Sequence, residues 1–419
     1  MVIQMKKDIQ QYMKGKQRRV LVASIVLIGF VLSTVFHYVL GAYCTKGYPY
    51  STFLFNPSDR FNDFNHVYEI VKGLTPYNSG YWLISIYFPF ANAFFYLFSI
   101  VHYKYLSLCL FIGIFVVCYA LMMRRAFYNS LGRDVLFFLV VGFVAYPFLF
   151  ILDRANIEGY LFLCLLGFIL LYRESRHEIL SSFLLASAIC MKLYPGVFLV
   201  LLLRDRKYRN ILYTCAFCLI LTIASLLLFK GGAIANIKWL LDNLHAFGPF
   251  YSGLNGLQHE ASFYPIIKVA SFLIQRMTGG SKLPFDQVGL ALDNVLLRPY
   301  SIACVIVFIG LSFFIVLRKD LRFWKSVALL CFSMILLPPV SFDYKLISLL
   351  IPLFFFLCES ERKQYLYAIL FALLLIPKDY FWLRGDISIA VVLNPLLMVT
   401  IAGMILFRRQ SSASLSIRE

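Results

Sequence analysis

Charged residues are scarce in this chain: Asp, Glu, Lys and Arg make up 14% of its 419 residues, against about 25% in a typical soluble domain. Hydrophobic residues make up 61%, and the mean hydropathy is +0.78. Apolar runs of roughly 18 to 23 residues, long enough to cross a bilayer as helices, recur from end to end. The composition therefore predicts an all-α, polytopic transmembrane protein of about 11 to 13 spans, folded as a single domain over residues 1–419.

Acidic residues are the scarcer sign, with 21 Asp and Glu against 39 Lys and Arg and a net charge of +18. A basic balance can indicate a nucleic-acid partner, but these Lys and Arg residues form short clusters between apolar runs, so we predict no nucleic-acid binding. Such clusters stay on the cytoplasmic side of a membrane. The clusters are Lys6, Lys7, Lys14, Lys16, Arg18 and Arg19; Arg124, Arg125 and Arg133; Arg173 and Arg176; Arg204, Arg206, Lys207 and Arg209; Arg318, Lys319, Arg322 and Lys325; Arg362 and Lys363; Arg408 and Arg409.

Cysteines outside the apolar runs are nearly absent, since Cys44 alone of the ten lies in a polar stretch. A thiol inside such a run behaves as a small buried hydrophobe, so no disulfide framework is expected. Cys215 and Cys218 form a C-x-x-C pattern without a second pair or a nearby His, which argues against a metal or redox centre. No acidic cluster of metal-ligand type is apparent, and we expect neither a metal nor another cofactor.

Two apolar stretches contain a proline break. They are Tyr81 to His102, interrupted at Pro89, and Ile179 to Leu203, interrupted at Pro195. With all basic clusters inside, both stretches have to enter the membrane and return on one side, or form irregular pairs. If Tyr81 to His102 were instead a full span, Arg124 and Arg125 would lie outside, against the positive-inside rule.

A carboxylate-bearing helix is predicted in the first external loop, residues 41–80. Between Arg60 and Lys72, Asp59, Asp63, His66 and Ile70 fall on one side, and Phe61, Phe64, Tyr68 and Val71 fall on the other. Gly73 is expected to end the helix. Such a helix lies in the membrane interface with its aromatic face in lipid or protein; the alternative is an ordinary surface helix.

The remaining polar segments all emerge on the outer side in this topology, which predicts a polar cavity in the outer half of the protein. They are Asp153 to Asn156, Met191 to Pro195, the loop 230–297, Pro338 to Lys345 and Pro377 to Tyr380. Lys192 and Lys345 could instead snorkel to the interface, and Asp153 could pair with Arg154.

The loop 230–297 is unusually long, and loops of this length usually have a function. We predict a lid over the cavity as one such function. Within this loop, the moderately apolar segment Ser262 to Met277 could form a re-entrant or interfacial helix that covers the cavity. His245 and His259 lie in the same loop without ligand spacing, so we expect both at the surface.

These segments, in this order, resemble the GT-C superfamily of membrane glycosyltransferases and most closely glycosyltransferase family 87. The resemblance rests on Asp63-Phe64 to Tyr68 with Gly73 to Tyr77, Tyr87-Phe88-Pro89-Phe90, Arg154-Ala155-Asn156, Lys192-Leu193-Tyr194-Pro195, and Pro338 to Tyr344. It implies transfer of a hexose, typically mannose, from a polyprenyl-phosphate donor to a glycan or glycolipid acceptor on the periplasmic or external face of the inner (plasma) membrane.

The resemblance also implies roles for the outer polar residues. Asp63 would be the general base of an inverting displacement, with His66 orienting the acceptor or tuning the base. The leaving phosphate needs cations, and Lys192, Arg154 and Lys345 are the candidates. The candidates for sugar or acceptor binding are Asn156, Tyr194, Asp343, Tyr344 and Tyr87, although Asp343 could pair with Lys345 instead.

Two other classes share parts of this pattern. An O-antigen polymerase or ligase would have many spans and a long outer loop, but would rely on outer Arg and His residues rather than a carboxylate in the first loop. A transporter of polyprenyl-linked glycans should show two halves with matched broken helices. The breaks at Pro89 and Pro195 have no clear counterparts after Pro284, which disfavours a transporter.

Overall fold

The computed structural model describes residues 2–78, 84–131, 135–175, 177–253, 258–278, 285–359, 364–382 and 387–407. Most of the described residues are helical. Its first half contains α1 Val2–Ala42, α2 Asn62–Lys72, α3 Pro89–Ser99, α4 Lys104–Leu131, α5 Val135–Leu139, a π-helical turn Val140–Val144, α6 Tyr146–Arg154, α7 Glu158–Glu174, α8 Glu178–Met191, a 3-10 turn Tyr194–Phe198, α9 Leu199–Arg204 and α10 Tyr208–Leu228.

The second half contains one small hairpin among further helices. Its elements are α11 Gly232–Gly253, α12 Tyr264–Met277, α13 Phe285–Leu317, α14 Phe323–Leu336, a 3-10 turn Asp343–Leu349, α15 Leu350–Cys358, α16 Tyr365–Leu375, β1 Phe381–Trp382, β2 Ile387–Ser388 and α17 Ala390–Phe407. The strands pair antiparallel, with Phe381 opposite Ser388.

Within these described ranges, five helices are long and apolar enough to cross a membrane, and a bent pair, Phe137–Val144 with Tyr146–Arg154, adds a sixth candidate. Shorter apolar helices accompany them: Glu178–Met191, Tyr194–Arg204, Phe323–Leu336 and Tyr365–Leu375. The all-α polytopic class is therefore confirmed, while the number of 11 to 13 spans stays a prediction. The shorter helices α14, α15 and α16 are buried around much of their circumference and form the core, whereas α13 exposes apolar side chains such as Val305 and Phe313, as a lipid-facing helix does.

The basic clusters that the structure describes meet at one end of the molecule. Arg18 Nη2 donates to the Glu359 carbonyl at 2.7 Å, and Arg322 Nη1 lies 3.4 Å from Glu359 Oε2. Arg204 Nη2 donates to the Leu321 carbonyl at 2.5 Å. Contacts between the ends of α7 and α9 bring Arg173 to the same end, because the Tyr172 hydroxyl donates to the Leu201 carbonyl at 3.1 Å.

We call this the basic end. The described clusters therefore lie at one end of the molecule, as the sequence predicts. Other residues of the predicted clusters lie outside the described residues: Arg133, Arg176, Arg362, Lys363, Arg408 and Arg409.

The two proline-interrupted stretches behave as the basic clusters require. Helix α3 begins at Pro89 and has 11 residues, about 16 Å at 1.5 Å per residue, which is too short for a hydrocarbon core of about 30 Å. Arg125 lies 3.5 Å from Glu174 in the last turn of α7, so it belongs to the basic end. Helix α8 runs away from that end, stops at Met191, and the chain returns through α9 to Arg204.

Candidate active site

Helix α2 forms where the sequence predicts it and packs on protein through its aromatic face. Phe64, Tyr68 and Val71 are fully buried, and the Phe64 ring lies 5.0 Å from that of Phe111 on α4. Gly73 ends the helix as expected. Ile70, predicted on the polar face, is buried instead at 2% exposure, because the packed face is wider than the aromatic stripe alone.

Asp63 and Arg154 meet at the ends of two helices. Asp63 lies in the first turn of α2 and Arg154 in the last turn of α6, positions where the helix dipole favours an acid and a base respectively. The amide of Phe61 donates to the Asp153 carbonyl at 2.8 Å and fixes the start of α2 against the end of α6. Arg154 Nη2 then donates to Asp63 Oδ1 at 2.5 Å.

The second oxygen of Asp63 is bound by Asn156. Ala155 has a left-handed backbone, with φ of 47°, and ends α6. The turn lets Asn156 Oδ1 accept from the Glu158 amide at 2.8 Å, in the manner of a helix cap. Asn156 Nδ2 donates to Asp63 Oδ2 at 2.6 Å. Each carboxylate oxygen of Asp63 is thus fixed by a donor, and 19% of its side chain stays exposed.

The guanidinium of Arg154 is occupied by carboxylates. Its Nη1 donates to the Asp59 carbonyl at 2.9 Å and to Asp59 Oδ2 at 3.0 Å, and its charge lies over the Phe55 ring at 4.2 Å. Asp153 pairs with Arg60, whose Nε lies 3.3 Å from Asp153 Oδ1. The alternative in which Arg154 pairs with Asp153 is therefore not what the structure shows. We call these four residues the Asp63 group: Asp63, Arg154, Asn156 and Asp59.

Lys192 has a counter-ion that the sequence reasoning missed. Its Nζ lies 2.9 Å from Oε2 of Glu158, which is 0% exposed. The Tyr194 hydroxyl donates to the same carboxylate. Lys192 is therefore paired within the protein, and its role at the donor phosphate stays a prediction. The sequence contained a signal for this pair, namely a Glu at the start of the apolar helix α7. An ionisable residue inside an apolar run is a candidate functional residue and needs a partner.

Aromatic rings surround the two lysines at this position. Lys192 Nζ lies 4.9 Å from the Tyr344 ring centroid and 5.8 Å from that of Tyr87, while Lys345 Nζ lies 4.2 Å from the Tyr194 ring centroid. These are cation–π distances. Lys345 is 5% exposed, which does not fit a side chain that snorkels to the interface. Five predicted residues from three distant segments therefore converge: Tyr87, Lys192, Tyr194, Tyr344 and Lys345. We use the name lysine group for Glu158, Lys192, Tyr194 and Lys345.

Asn156 connects the two groups. Its side chain bonds Asp63 through Nδ2 and the backbone of Glu158 through Oδ1, and Glu158 in turn holds Lys192. The sequence predicted a shared outer cavity for Asp63, Arg154, Lys192 and Lys345; the hydrogen-bond path from Asp63 to Lys192 places the first three side by side.

His66 lies one turn after Asp63 on α2 and makes no hydrogen bond to the described residues. Burial is the main cause that lowers the pKa of its imidazole below the ordinary value, and the nearby Asp63 charge opposes this only in part. The ring is therefore neutral at pH 7, with nitrogen atoms free to bind a hydroxyl.

Asp343 belongs to a third group. It is 0% exposed, and it accepts from the Tyr146 hydroxyl at 3.2 Å and from Asn394 Nδ2 at 2.9 Å rather than pairing with Lys345. His259 lies beside it at 0% exposure, with its Nδ1 3.0 Å from Asp379 Oδ1. The expectation of a surface position was wrong for His259 and right for His245, which is exposed.

Segment 258–263 is buried because its backbone pairs with the turn after α14. The Ala261 amide donates to the Ser341 carbonyl at 2.7 Å, and the Asp343 amide donates to the His259 carbonyl at 2.8 Å. Burial raises the pKa of the neighbouring Glu260 to about 8. The predicted helix in this loop forms as α12, Tyr264–Met277, while its role as a lid stays a prediction.

The comparisons with known proteins give one family. The model of glycosyltransferase family 87 matches residues 86–339, which include Tyr87, Arg154, Asn156, Lys192 and Tyr194 but neither Asp63 nor the segment 343–345. No curated protein matches the chain.

Proposed function

Since the chain belongs to glycosyltransferase family 87, we propose that it transfers a mannose-like hexose from a polyprenyl-phosphate donor to a glycan or glycolipid acceptor, in the manner of the GT-C superfamily. The observation that carries the proposal is the fixed carboxylate of Asp63, which lies one hydrogen-bonded residue, Asn156, from the lysine group. A base and a cationic site at such proximity are what displacement of a phosphate by a hydroxyl needs.

In the proposed reaction the acceptor oxygen forms a bond to the anomeric carbon while the bond from that carbon to the phosphate oxygen breaks. The acceptor proton passes to Asp63, which acts as general base. Direct displacement inverts the anomeric carbon. The exposed fraction of Asp63 and the donors on both of its oxygens support this role, since they hold the carboxylate in one orientation and leave lone pairs for the incoming hydroxyl.

The leaving phosphate gains negative charge. We assign the stabilisation of this charge to Lys192 and Lys345. Both ammonium groups are largely buried and lie against tyrosine rings, Lys192 against Tyr344 and Lys345 against Tyr194, and electrostatic stabilisation is strong in such a site. Arg154, the other predicted phosphate ligand, already bonds two carboxylates. We therefore assign Arg154 to positioning Asp63, and we prefer the two lysines as phosphate ligands.

The sugar ring would lie between the two groups, against the partly exposed rings of Tyr87, Tyr194 and Tyr344. His66 would bind the acceptor, because it lies on the same helix face as Asp63 and has free ring nitrogens. The donor lipid would enter from the bilayer, and the site would face the exterior of the inner membrane, since it lies opposite the basic end.

The test is transfer by the purified full chain with a radiolabelled polyprenyl-phosphate mannose and membrane-extracted acceptors. We expect one sugar added per acceptor, with the opposite anomeric configuration to the donor. Repeated addition of an oligosaccharide would support a polymerase or ligase, and movement of the donor across a vesicle membrane without transfer would support a transporter. Either result would overturn the proposal.

A further inference from the structure

Three residues that are distant in sequence bring metal-ligating atoms together beside the Asp63 group. His259, Asp343 and Asp379 each offer one ligand atom, and these atoms lie within 4.8 Å of one another. All three side chains are 0% exposed. They come from the long loop, the turn after α14 and the segment between α16 and β1, so their spacing in sequence gives no sign of the cluster.

Neighbouring polar groups hold the cluster in place. The Tyr146 hydroxyl donates to Asp343 Oδ2 at 3.2 Å and lies 3.4 Å from His259 Nδ1. The Ser388 hydroxyl donates to Asp379 Oδ1 at 3.1 Å. His259 itself has a left-handed backbone, with φ of 61°, a conformation that persists when the surroundings fix it.

Two buried oxygen atoms at the cluster have no hydrogen-bond partner among the described residues: Asp379 Oδ2 and Asn394 Oδ1. Both side chains are 0% exposed, and leaving such an oxygen unpaired is costly. The Asn394 amide already faces Asp343, with Nδ2 2.9 Å from Oδ1. The oxygen and nitrogen of an amide have nearly the same shape, so a half-turn of this amide would aim a fourth oxygen at the cluster.

We propose that His259, Asp343, Asp379 and Asn394 bind one divalent transition-metal ion, Zn²⁺ or Mn²⁺. An imidazole combined with carboxylate and amide oxygens suits these ions rather than Cu⁺, which prefers sulfur. Ligand atoms about 2.1 Å from a metal at tetrahedral angles are about 3.4 Å apart, so separations of up to 4.8 Å need to shrink by at most about 1.4 Å. The ion would give a partner to Asp379 Oδ2 and, after the half-turn, to Asn394 Oδ1, in place of the bond that Asn394 Nδ2 makes to Asp343.

A plain ion pair between His259 and Asp379 is the rival account. It satisfies Asp379 Oδ1 but leaves Asp379 Oδ2 and Asn394 Oδ1 unpaired. The nearest lysine in sequence, Lys378, donates from its Nζ to the carbonyls of Leu373 and Ile376 at 2.7 and 2.8 Å, so its charge lies near Asp343 and Asp379 without a hydrogen bond to either. The metal account therefore explains two atoms that the ion pair does not.

Such an ion would join the long loop to the C-terminal part of the chain. The loop supplies His259, and α17 supplies Asn394. The Phe55 ring lies 5.5 Å from that of His259 and also underlies Arg154 at 4.2 Å. The ion would thus stabilise one wall of the active site, without touching Asp63.

The experiment measures metal directly, so its outcome does not depend on transfer activity. The purified full chain is stripped with a chelator, incubated with Zn²⁺ or with Mn²⁺, desalted and analysed by elemental mass spectrometry. We expect about one equivalent of one of these ions, and a rise in the thermal unfolding temperature that the chelator reverses. Asp379→Asn should lower the affinity at least tenfold, as should His259→Gln.

The control is Asp320→Asn, because Asp320 is an exposed carboxylate that pairs with Arg318 at the basic end of the molecule; it should bind metal as the wild type does. Size-exclusion elution of each variant checks folding. If the folded wild type retains no ion and shows no thermal shift with either metal, or if Asp379→Asn binds as tightly as the wild type, the cluster is an ion pair and the proposal is wrong.

Discussion

Asp63 and Arg154 are joined at 2.5 Å although 91 positions separate them in the chain. The same guanidinium bonds Asp59 through its other terminal nitrogen, while Asp63 alone is also bound by Asn156. Two carboxylates on adjacent turns thus share one arginine but differ in their second partner. This difference provides matched variants for separating a base from a structural acid.

Asp63→Asn should abolish most transfer. The substitution keeps the size of the side chain and removes its basicity, and loss of a positioned general base typically costs about 10² to 10⁴ in rate. Asp59→Asn is the control, since it also loses a bond to Arg154 but leaves the proposed base in place; it should keep much of the activity. The measurement is kcat at saturating donor and acceptor, with membrane abundance checked by immunoblot. Near-normal turnover of Asp63→Asn would make this carboxylate structural.

Arg154→Gln separates the two roles considered for this arginine. If Arg154 positions Asp63, as its contacts support, the variant should lower kcat with little change in the KM for the donor. If Arg154 binds the donor phosphate, the KM for the donor should rise instead. Steady-state kinetics with the donor varied at saturating acceptor distinguishes these outcomes.

Lys192 cannot be tested by simple truncation, because Glu158 would remain as a buried charge without its partner. Removing one member of a buried pair costs about 3 to 5 kcal/mol, so Lys192→Ala should accumulate poorly. The double variant Lys192→Met with Glu158→Gln removes both charges and should fold. We expect it to raise the KM for the polyprenyl-phosphate donor at least tenfold.

The matched control for that experiment is Lys192→Arg, which keeps a cation paired with Glu158 in the site. It should bind donor better than the double variant. Equal donor KM in the wild type and the double variant would show that this ammonium does not meet the phosphate.

His66→Gln should raise the KM for the acceptor and leave the KM for the donor unchanged. Burial lowers the imidazole pKa, so folding favours the neutral ring. The stability that this provides is present above the unfolded pKa of about 6.5 and is lost as the pH falls through the lower folded value. Wild type and His66→Gln should therefore show the same pH profile from about pH 6.5 upward. A limb near neutrality that disappears in the variant would mean that the ring titrates during turnover.

Local sequence signals predicted the helix interruptions and several residues of the candidate site, whereas the long-range pairing of these residues could not be predicted. Pro89 and Pro195 mark the breaks because proline lacks an amide donor. Asp63 and Lys192 stand out as charges beside apolar runs. The burial of His259 could not be predicted, because it depends on backbone pairing between its loop and Ser341 to Asp343. The pair of Glu158 and Lys192 was similarly missed, since nothing in the spacing of residues 34 positions apart shows that α7 and α8 bring them together.

The proposed outward orientation of the site can be tested by cysteine labelling in intact cells. Cys44 is exposed in the segment that follows α1, at the end of the molecule away from Arg18. It should react with a membrane-impermeant maleimide without permeabilisation, because basic clusters remain in the cytoplasm and the opposite end faces out. The comparison is Lys319→Cys in a Cys44→Ser background, an exposed position at the basic end, which should react only after permeabilisation. Membrane-embedded cysteines contribute little, since thiolate formation requires water. The reverse pattern would put Asp63 and Lys192 on the cytoplasmic side and would require a donor presented there.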